Sequence, residues 1–168
     1  IPKLWRQGQS CIEAMLTNNA SSYGVVDAVK FDPTQNGFQL PSGLWQKYSG
    51  LRKVTDAEGK ANYEYYTRKG MTKIYGGKLI ENVVQALARI VVFDQMAKID
   101  QTLRKKDKST KRSKVVLTVH DEVVAVVPDI EAANCMNMMM DFMKQPPKWC
   151  SDLPVACEAK WGHSYGEC

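Results

Sequence analysis

Three consecutive ionisable residues, His120, Asp121 and Glu122, stand between two apolar runs, Val115-Val116-Leu117-Thr118-Val119 and Val123-Val124-Ala125-Val126-Val127. Adjacent carboxylates repel each other unless they are solvated or neutralised, and a bound divalent cation is one way to neutralise them. The flanking runs are rich in β-branched residues, which is a strand signal. A short polar break between two such runs reads as a β-hairpin. Tight hairpin turns favour Asn-Gly, Asp-Gly or another glycine pair, and this break contains no glycine. His120, Asp121 and Glu122 are therefore poor choices for turning a chain. Metal chemistry would explain them; so would a solvated tip that happens to be acidic, and the hairpin alone leaves both readings open.

Two helices and a closing strand would have to hold that hairpin. The longest helical pattern runs from about Lys78 to Leu103, after Gly76-Gly77 and without proline or glycine. Ile80, Val83, Val84, Leu87 and Val91 recur at spacings of three and four. Leu79, Ala86, Ile90, Phe93 and Ala97 make the other sides apolar too, which predicts a buried helix. One polar stripe interrupts it: Lys78, Asn82, Gln85 and Arg89, with Glu81 at its edge. Such a stripe faces either solvent or a ligand groove. Beyond the hairpin, Asp129 suits the N-cap of a helix from Ile130 to about Lys144, stopped by Pro146-Pro147. Its five methionines fit irregular core filling or an adaptable partner surface. Val155, Cys157 and Ala159 alternate with Ala156, Glu158 and Lys160, as in a half-buried strand.

The first third reads as β-hairpins. Ser10 and Glu13 form a capping-box pattern for a short helix to Thr17. Val25 to Phe31, Phe38 to Leu40 and Trp45 to Tyr48 are strand candidates, the last two joined by the turn Pro41-Ser42-Gly43. Leu51 to Val54 and Ala61 to Thr67 form a second hairpin across Asp56-Ala57-Glu58-Gly59.

A chain of 168 residues suits one domain or one large piece of a bigger one. Its net charge of +5 is uneven: Arg104 to Lys114 holds seven basic residues and one acid, leaving −1 for the remainder (+5 minus +6). The overall charge is thus weak support for nucleic-acid binding, and the basic run is judged by itself, first as a solvated loop. Five widely spaced cysteines without a Cys-x-x-Cys fit a reducing cytosol rather than a disulfide framework or a zinc site. No apolar window approaches the ~20 residues of a membrane span. Because the first residue is Ile1, a cut-out domain, a processed product or a fragment is expected.

Val119-His120-Asp121-Glu122-Val123 between two apolar strands resembles the third catalytic motif of the DNA polymerase I family (family A). Glu81-Asn82-Val83-Val84-Gln85-Ala86 resembles the long palm helix upstream of that motif. Leu40-Pro41-Ser42-Gly43 resembles the preceding hairpin, especially in the bacteriophage branch, and Leu153-Pro154-Val155 through Trp161-Gly162 resembles the closing strand of the palm. The four motifs follow in the family's order over nearly the whole chain.

The resemblance implies an α+β fold, an antiparallel palm sheet with a central β-hairpin packed on long helices. Residues 1–75 would form the hairpin-rich end at the fingers/palm junction, and residues 78–168 the palm helix, catalytic hairpin, closing helix and strand. The implied reaction is DNA-templated nucleotidyl transfer with two Mg²⁺ ions, in which the primer 3′ hydroxyl attacks the α-phosphate of a dNTP and pyrophosphate leaves. By the same match Asp121 is a metal ligand, Glu122 its catalytic acidic neighbour, and His120 and Gln85 contact primer-template DNA. The family's Arg and Asn positions on the helix are Gly77 and Glu81 here, and Leu44 follows the Leu-Pro-Ser-Gly where phage members usually have Arg. The family's first catalytic motif and its fingers helix have no counterpart in the sequence. The expected partner is therefore the N-terminal polymerase portion, with the chain inactive alone, and the implied location is the cytoplasm of a bacterial or phage-infected cell, with no membrane. The alternative is a non-catalytic DNA-binding or assembly module from a split or degraded polymerase gene. A phosphohydrolase built on His120-Asp121 fails on ligand count, since His163 is the only other histidine.

Overall fold

The computed structural model describes residues 2–19, 28–107 and 112–168. The fold is mixed α+β, with small antiparallel sheets and helices, in two compact units, Ile1–Ala88 and Arg89–Cys168.

The first unit opens with helix α1, Pro2–Thr17. The helix starts earlier than the capping-box pattern predicts. Pro2 suits a first turn, where its missing N–H has no intrahelical acceptor to lose. Ser10 lies mid-helix, and its hydroxyl donates back to the Arg6 carbonyl at 3.1 Å instead of capping. Gly8, Cys11, Ile12 and Met15 form the buried stripe. Strands β1 (Lys30–Asp32), β2 (Gly37–Gln39) and β3 (Trp45–Lys47) form one antiparallel sheet. Residues 25–27 of the first predicted strand lie outside the described residues. The Pro41-Ser42-Gly43 turn forms as expected: the Gly43 N–H donates to the Leu40 carbonyl at 2.8 Å, and Gly43 takes φ +83°. Strands β4 (Arg52–Thr55), β5 (Ala61–Thr67) and β6 (Gly70–Ile74) form a meander. Asp56 organises the first of its turns, its Oδ1 accepting the Lys60 and Glu58 N–H groups. Strand β6 carries no clear strand pattern in the sequence, because Lys73, Thr72 and Gly70 interrupt its apolar residues. The core gathers Cys11, Ile12, Met15, Phe38, Tyr48, Ile74, Leu79 and Val83.

Helix α2, Gly76–Lys106, is 31 residues long, and its range crosses the boundary between the units. Its start packs closely on α1. A Cβ on Gly8 would lie 2.5 Å from the Gly76 carbonyl oxygen, and one on Gly76 would lie 2.1 Å from that of Trp5. Only glycine lets the two backbones approach this far. After Gly76, the buried positions are Leu79, Val83, Val91, Gln95, Ile99 and Leu103, all multiples of four apart. The helix is not buried on most sides as predicted: Val84 is 56% exposed and Phe93 38%. Ile80 and Leu87 flank this stripe, half-buried against the core of the first unit, while Val84, Ala88, Phe93 and Ala97 are exposed.

In the second unit, β7 (Lys114–Val119) and β8 (Glu122–Val126) form a two-stranded sheet. Helix α3 spans Ala132–Met143. Asp129 does not cap it, contrary to expectation. A 3-10 turn over Asp129–Glu131 intervenes, and the α3 N-cap position, Glu131, makes no side-chain cap bond. Val115, Ala125 and Val127 pack with Ile99, Leu103, Cys135, Met138, Met139, Phe142 and Met143, so the α3 methionines at 138, 139 and 143 fill core. The predicted closing strand is absent: residues 155–159 make no ladder. Val155 and Cys157 are still half-buried between exposed neighbours, and the Cys157 thiol donates to the Met140 carbonyl. The segment thus keeps the alternation of a strand without a paired backbone, and alternation alone does not make a strand.

Candidate functional site at the hairpin tip

The hairpin forms where the sequence placed it. Val119 pairs with Glu122, leaving His120 and Asp121 as a two-residue turn. Two-residue turns need positive φ, and here His120 supplies it at +53°. A histidine in the left-handed region is uncommon and costs about 1 kcal/mol or more relative to glycine. Such strain clusters at functional sites. His120, Asp121 and Glu122 are all exposed.

The root of the hairpin is held by Asp100 on α2 and by Asp107 just after its end. Asp100 Oδ1 accepts the Val115 N–H at 3.0 Å while its Oδ2 accepts from Arg104 Nε at 2.6 Å. The Arg104 bond, with the Val115 N–H assisting, holds the Asp100 carboxyl below its ordinary range. Asp107 Oδ2 accepts the Arg112 and Ser113 N–H groups, each at 2.8 Å. Two described members of the basic run, Arg104 and Arg112, thus serve the approach to β7, one by its side chain and one by its backbone. Lys108 and Lys111 lie outside the described residues.

A β-bulge then redirects β7. Val115 pairs with Ala125, but Leu117 pairs with Val124, so Val116 is the extra residue. The shift carries Leu117 from the core face, where alternation from Val115 would put it, to the face shared with Glu122. Leu117 is 46% exposed there.

The C-terminal segment reaches the tip, which its sequence gave no reason to expect. The Tyr165 hydroxyl donates to Glu122 Oε2 at 3.1 Å. That bond, and then the carboxylate's charge, keeps the Tyr165 phenol above its ordinary range, so it stays protonated and donating. His163 Nδ1 lies 3.9 Å from Asp129 Oδ1, and Trp161 meets the His163 ring edge-on.

Gln85 belongs to the first unit and is exposed. Its Nε2 donates to Glu81 Oε1 at 3.2 Å, and Lys78 Nζ reaches the same oxygen at 2.7 Å. Lys78, Glu81 and Gln85 of the polar stripe are thus linked to one another along α2.

Adjacent carboxylates present hard oxygen donors, which suit Mg²⁺, an ion that takes one or two carboxylates and completes its shell with water and substrate phosphates. Among the described residues no group of three or more His, Cys, Asp and Glu side chains could hold a metal ion. Asp121 and Glu122 thus fit one side of such a site. Among the described residues no helix is long and apolar enough to cross a membrane.

The chain is similar to the DNA polymerase of Bacillus phage SP02, with 31% identity over 126 residues. The match covers 71% of this chain and 18% of that protein, so the chain spans under a fifth of the length of the curated relative it matches. No protein-family model matches the chain, and no solved structure does.

Proposed function

We propose that this chain is the C-terminal palm portion of a family A DNA polymerase of the phage type, contributing to template-directed nucleotidyl transfer. The observation that carries the reading is the pair Asp121 and Glu122 on a hairpin turned by a strained histidine. The similarity to a phage DNA polymerase supports it. Asp121 would hold Mg²⁺ with Glu122 beside it, and the ion would supply Lewis-acid charge where the primer end meets the dNTP. The two strands, with their root fixed by Asp100 and Asp107, hold the carboxylates more firmly than a free loop would. Tyr165 orients Glu122 by its hydrogen bond. His120 would meet the primer strand, and Gln85 the duplex minor groove through its neutral amide. The rest of the polymerase, upstream in sequence, is the partner that supplies the first catalytic motif and the fingers helix, and a bacterial or phage-infected cytoplasm is where this reaction would run.

One observation favours the alternative of a non-catalytic DNA-binding or assembly module: no third carboxylate or histidine joins Asp121 and Glu122 among the described residues. Primer extension separates the two. On the polymerase reading the purified 168-residue chain gives no extension alone, and adding the upstream polypeptide restores it. No extension from that combination would favour the non-catalytic module.

A further inference from the structure

The outward face of the β4–β5–β6 meander has a composition that the catalytic reading does not use. Register fixes which residues share it. Arg52 pairs with Glu64, and Glu64 with Lys73, so these three form one row across the strands. Two residues along, Tyr66 pairs with Met71 on the same face. The opposite face carries Tyr63, Tyr65 and Ile74, which pack into the core of the first unit. Tyr66 is 65% exposed and Met71 39%, so a ring and a thioether lie side by side in solvent. The turn that follows Thr67 adds exposed Arg68 and Lys69. Four cations thus flank the Tyr66–Met71 pair, against one carboxylate, Glu64, which Arg52 already engages at 3.3 Å. At about 3.3 Å of rise per residue, the row that holds Arg52 and Lys73 lies roughly 7 Å along the strands from the pair, and Arg68 and Lys69 sit in the turn at its other end.

We propose that this sheet face binds single-stranded nucleic acid, with a base stacked on Tyr66 against Met71 and the neighbouring phosphates taken by Lys73 and Arg52 on one side and by Arg68 and Lys69 on the other. Aromatic platforms between cations are how single strands are bound without sequence preference, because every unpaired base has a free π-face. A duplex keeps its base faces stacked within the helix and offers none to a flat sheet. An apolar protein partner would bury four cations with one counter-charge, at a desolvation cost that phosphates instead offset. The proposal goes beyond the polymerase reading and does not depend on it, since a chain with no catalytic role would still bind in this way.

The test is fluorescence anisotropy of a labelled oligothymidylate, about 12 nucleotides long, titrated with the 168-residue chain over a range of salt. The wild-type chain is expected to bind the single strand more tightly than a duplex of the same length. Tyr66→Ala should weaken binding about tenfold, as loss of one stacking contact does, while Tyr66→Trp and Tyr66→Phe retain it. Lys73→Gln and Arg68→Gln should each flatten the salt slope by about 0.7. Far-ultraviolet circular dichroism of each variant separates lost binding from lost fold, and the Trp, Phe and Gln variants keep the test open if Tyr66→Ala unfolds. No binding by the wild-type chain, equal affinity for the duplex, a folded Tyr66→Ala that binds as wild type, or salt slopes unchanged in both Gln variants would each overturn the proposal.

Discussion

The Tyr165 hydroxyl donates a 3.1 Å hydrogen bond to Glu122 Oε2 across 43 positions of sequence. It ties the end of the described chain to the first residue of β8, immediately beyond the strained turn at His120. A carboxylate held by one donor has fewer orientations to give up when a cation arrives, and partners of this kind are worth about 10- to 100-fold in metal affinity or activity. In the complete polymerase, Tyr165→Phe should raise the Mg²⁺ concentration needed for half-maximal extension by about tenfold. A Mg²⁺ dependence identical to wild type would remove Tyr165 from the site.

Gln95 is the buried polar position on α2, 3% exposed, and its Nε2 donates to the carbonyls of Met143 at 3.0 Å and Gln145 at 2.9 Å. It satisfies the carbonyl of the last α3 residue, which has no helical partner, and one in the segment just after the helix. Gln95→Leu keeps the volume and removes both bonds, so it should cost about 1–3 kcal/mol, seen as a lower urea midpoint. An unchanged midpoint would mean that water replaces the amide at no cost.

The contact of α1 with α2 makes a steric prediction. Gly76→Ala would place a methyl 2.1 Å from the Trp5 carbonyl oxygen and 2.7 Å from the Gln9 nitrogen, against backbone that cannot swing aside. It should destabilise the protein by at least about 1–3 kcal/mol. Gly166→Ala, with nothing within 4 Å of the new carbon, is the control and should be near neutral in the same thermal melt. Equal melting temperatures for the two variants would refute the close approach.

The pH dependence follows from Asp100. Its folded carboxyl is held below the ordinary value by Arg104 first, with the Val115 N–H assisting. A depressed folded value contributes stability that is present above the unfolded value near 3.9 and is lost as pH falls through the folded one. Stability should therefore decline below about pH 4, with β7 loosening from α2. Asp100→Asn should lower stability at neutral pH and flatten that decline, which a series of urea melts between about pH 6 and 2.5 would read. A decline equally steep in the variant would assign it to other carboxylates.

Much of this structure was legible in the sequence because it rests on local patterns. The Val115–Val127 hairpin, the Pro41-Ser42-Gly43 turn and the long helix all declare themselves within about thirty residues by β-branching, turn chemistry or period. What the sequence hid is set by pairing between distant residues. The bulge at Val116 depends on how β7 meets β8. The missing closing strand depends on the ladder that Val155 to Ala159 does not join, although its alternation is that of a strand. Gln95 read as an ordinary helix position, because the carbonyls it satisfies lie 48 and 50 residues away. Nothing near Tyr165 in sequence names Glu122 as its acceptor, 43 positions away. His120, Asp121 and Glu122 were legible for the opposite reason: they are wrong for a turn, and the structure turns on His120 and Asp121 regardless, with Glu122 opening β8.

The central claim is that Asp121 holds the metal of a polymerase palm. Single-turnover incorporation of one dNTP by the complete polymerase, wild type against Asp121→Asn, tests it most directly. The account predicts a fall of about a thousandfold or more, roughly 4 kcal/mol of barrier, with primer-template binding and the thermal melt unchanged. Turnover within a few-fold of wild type would contradict it and return the hairpin to a solvated acidic tip.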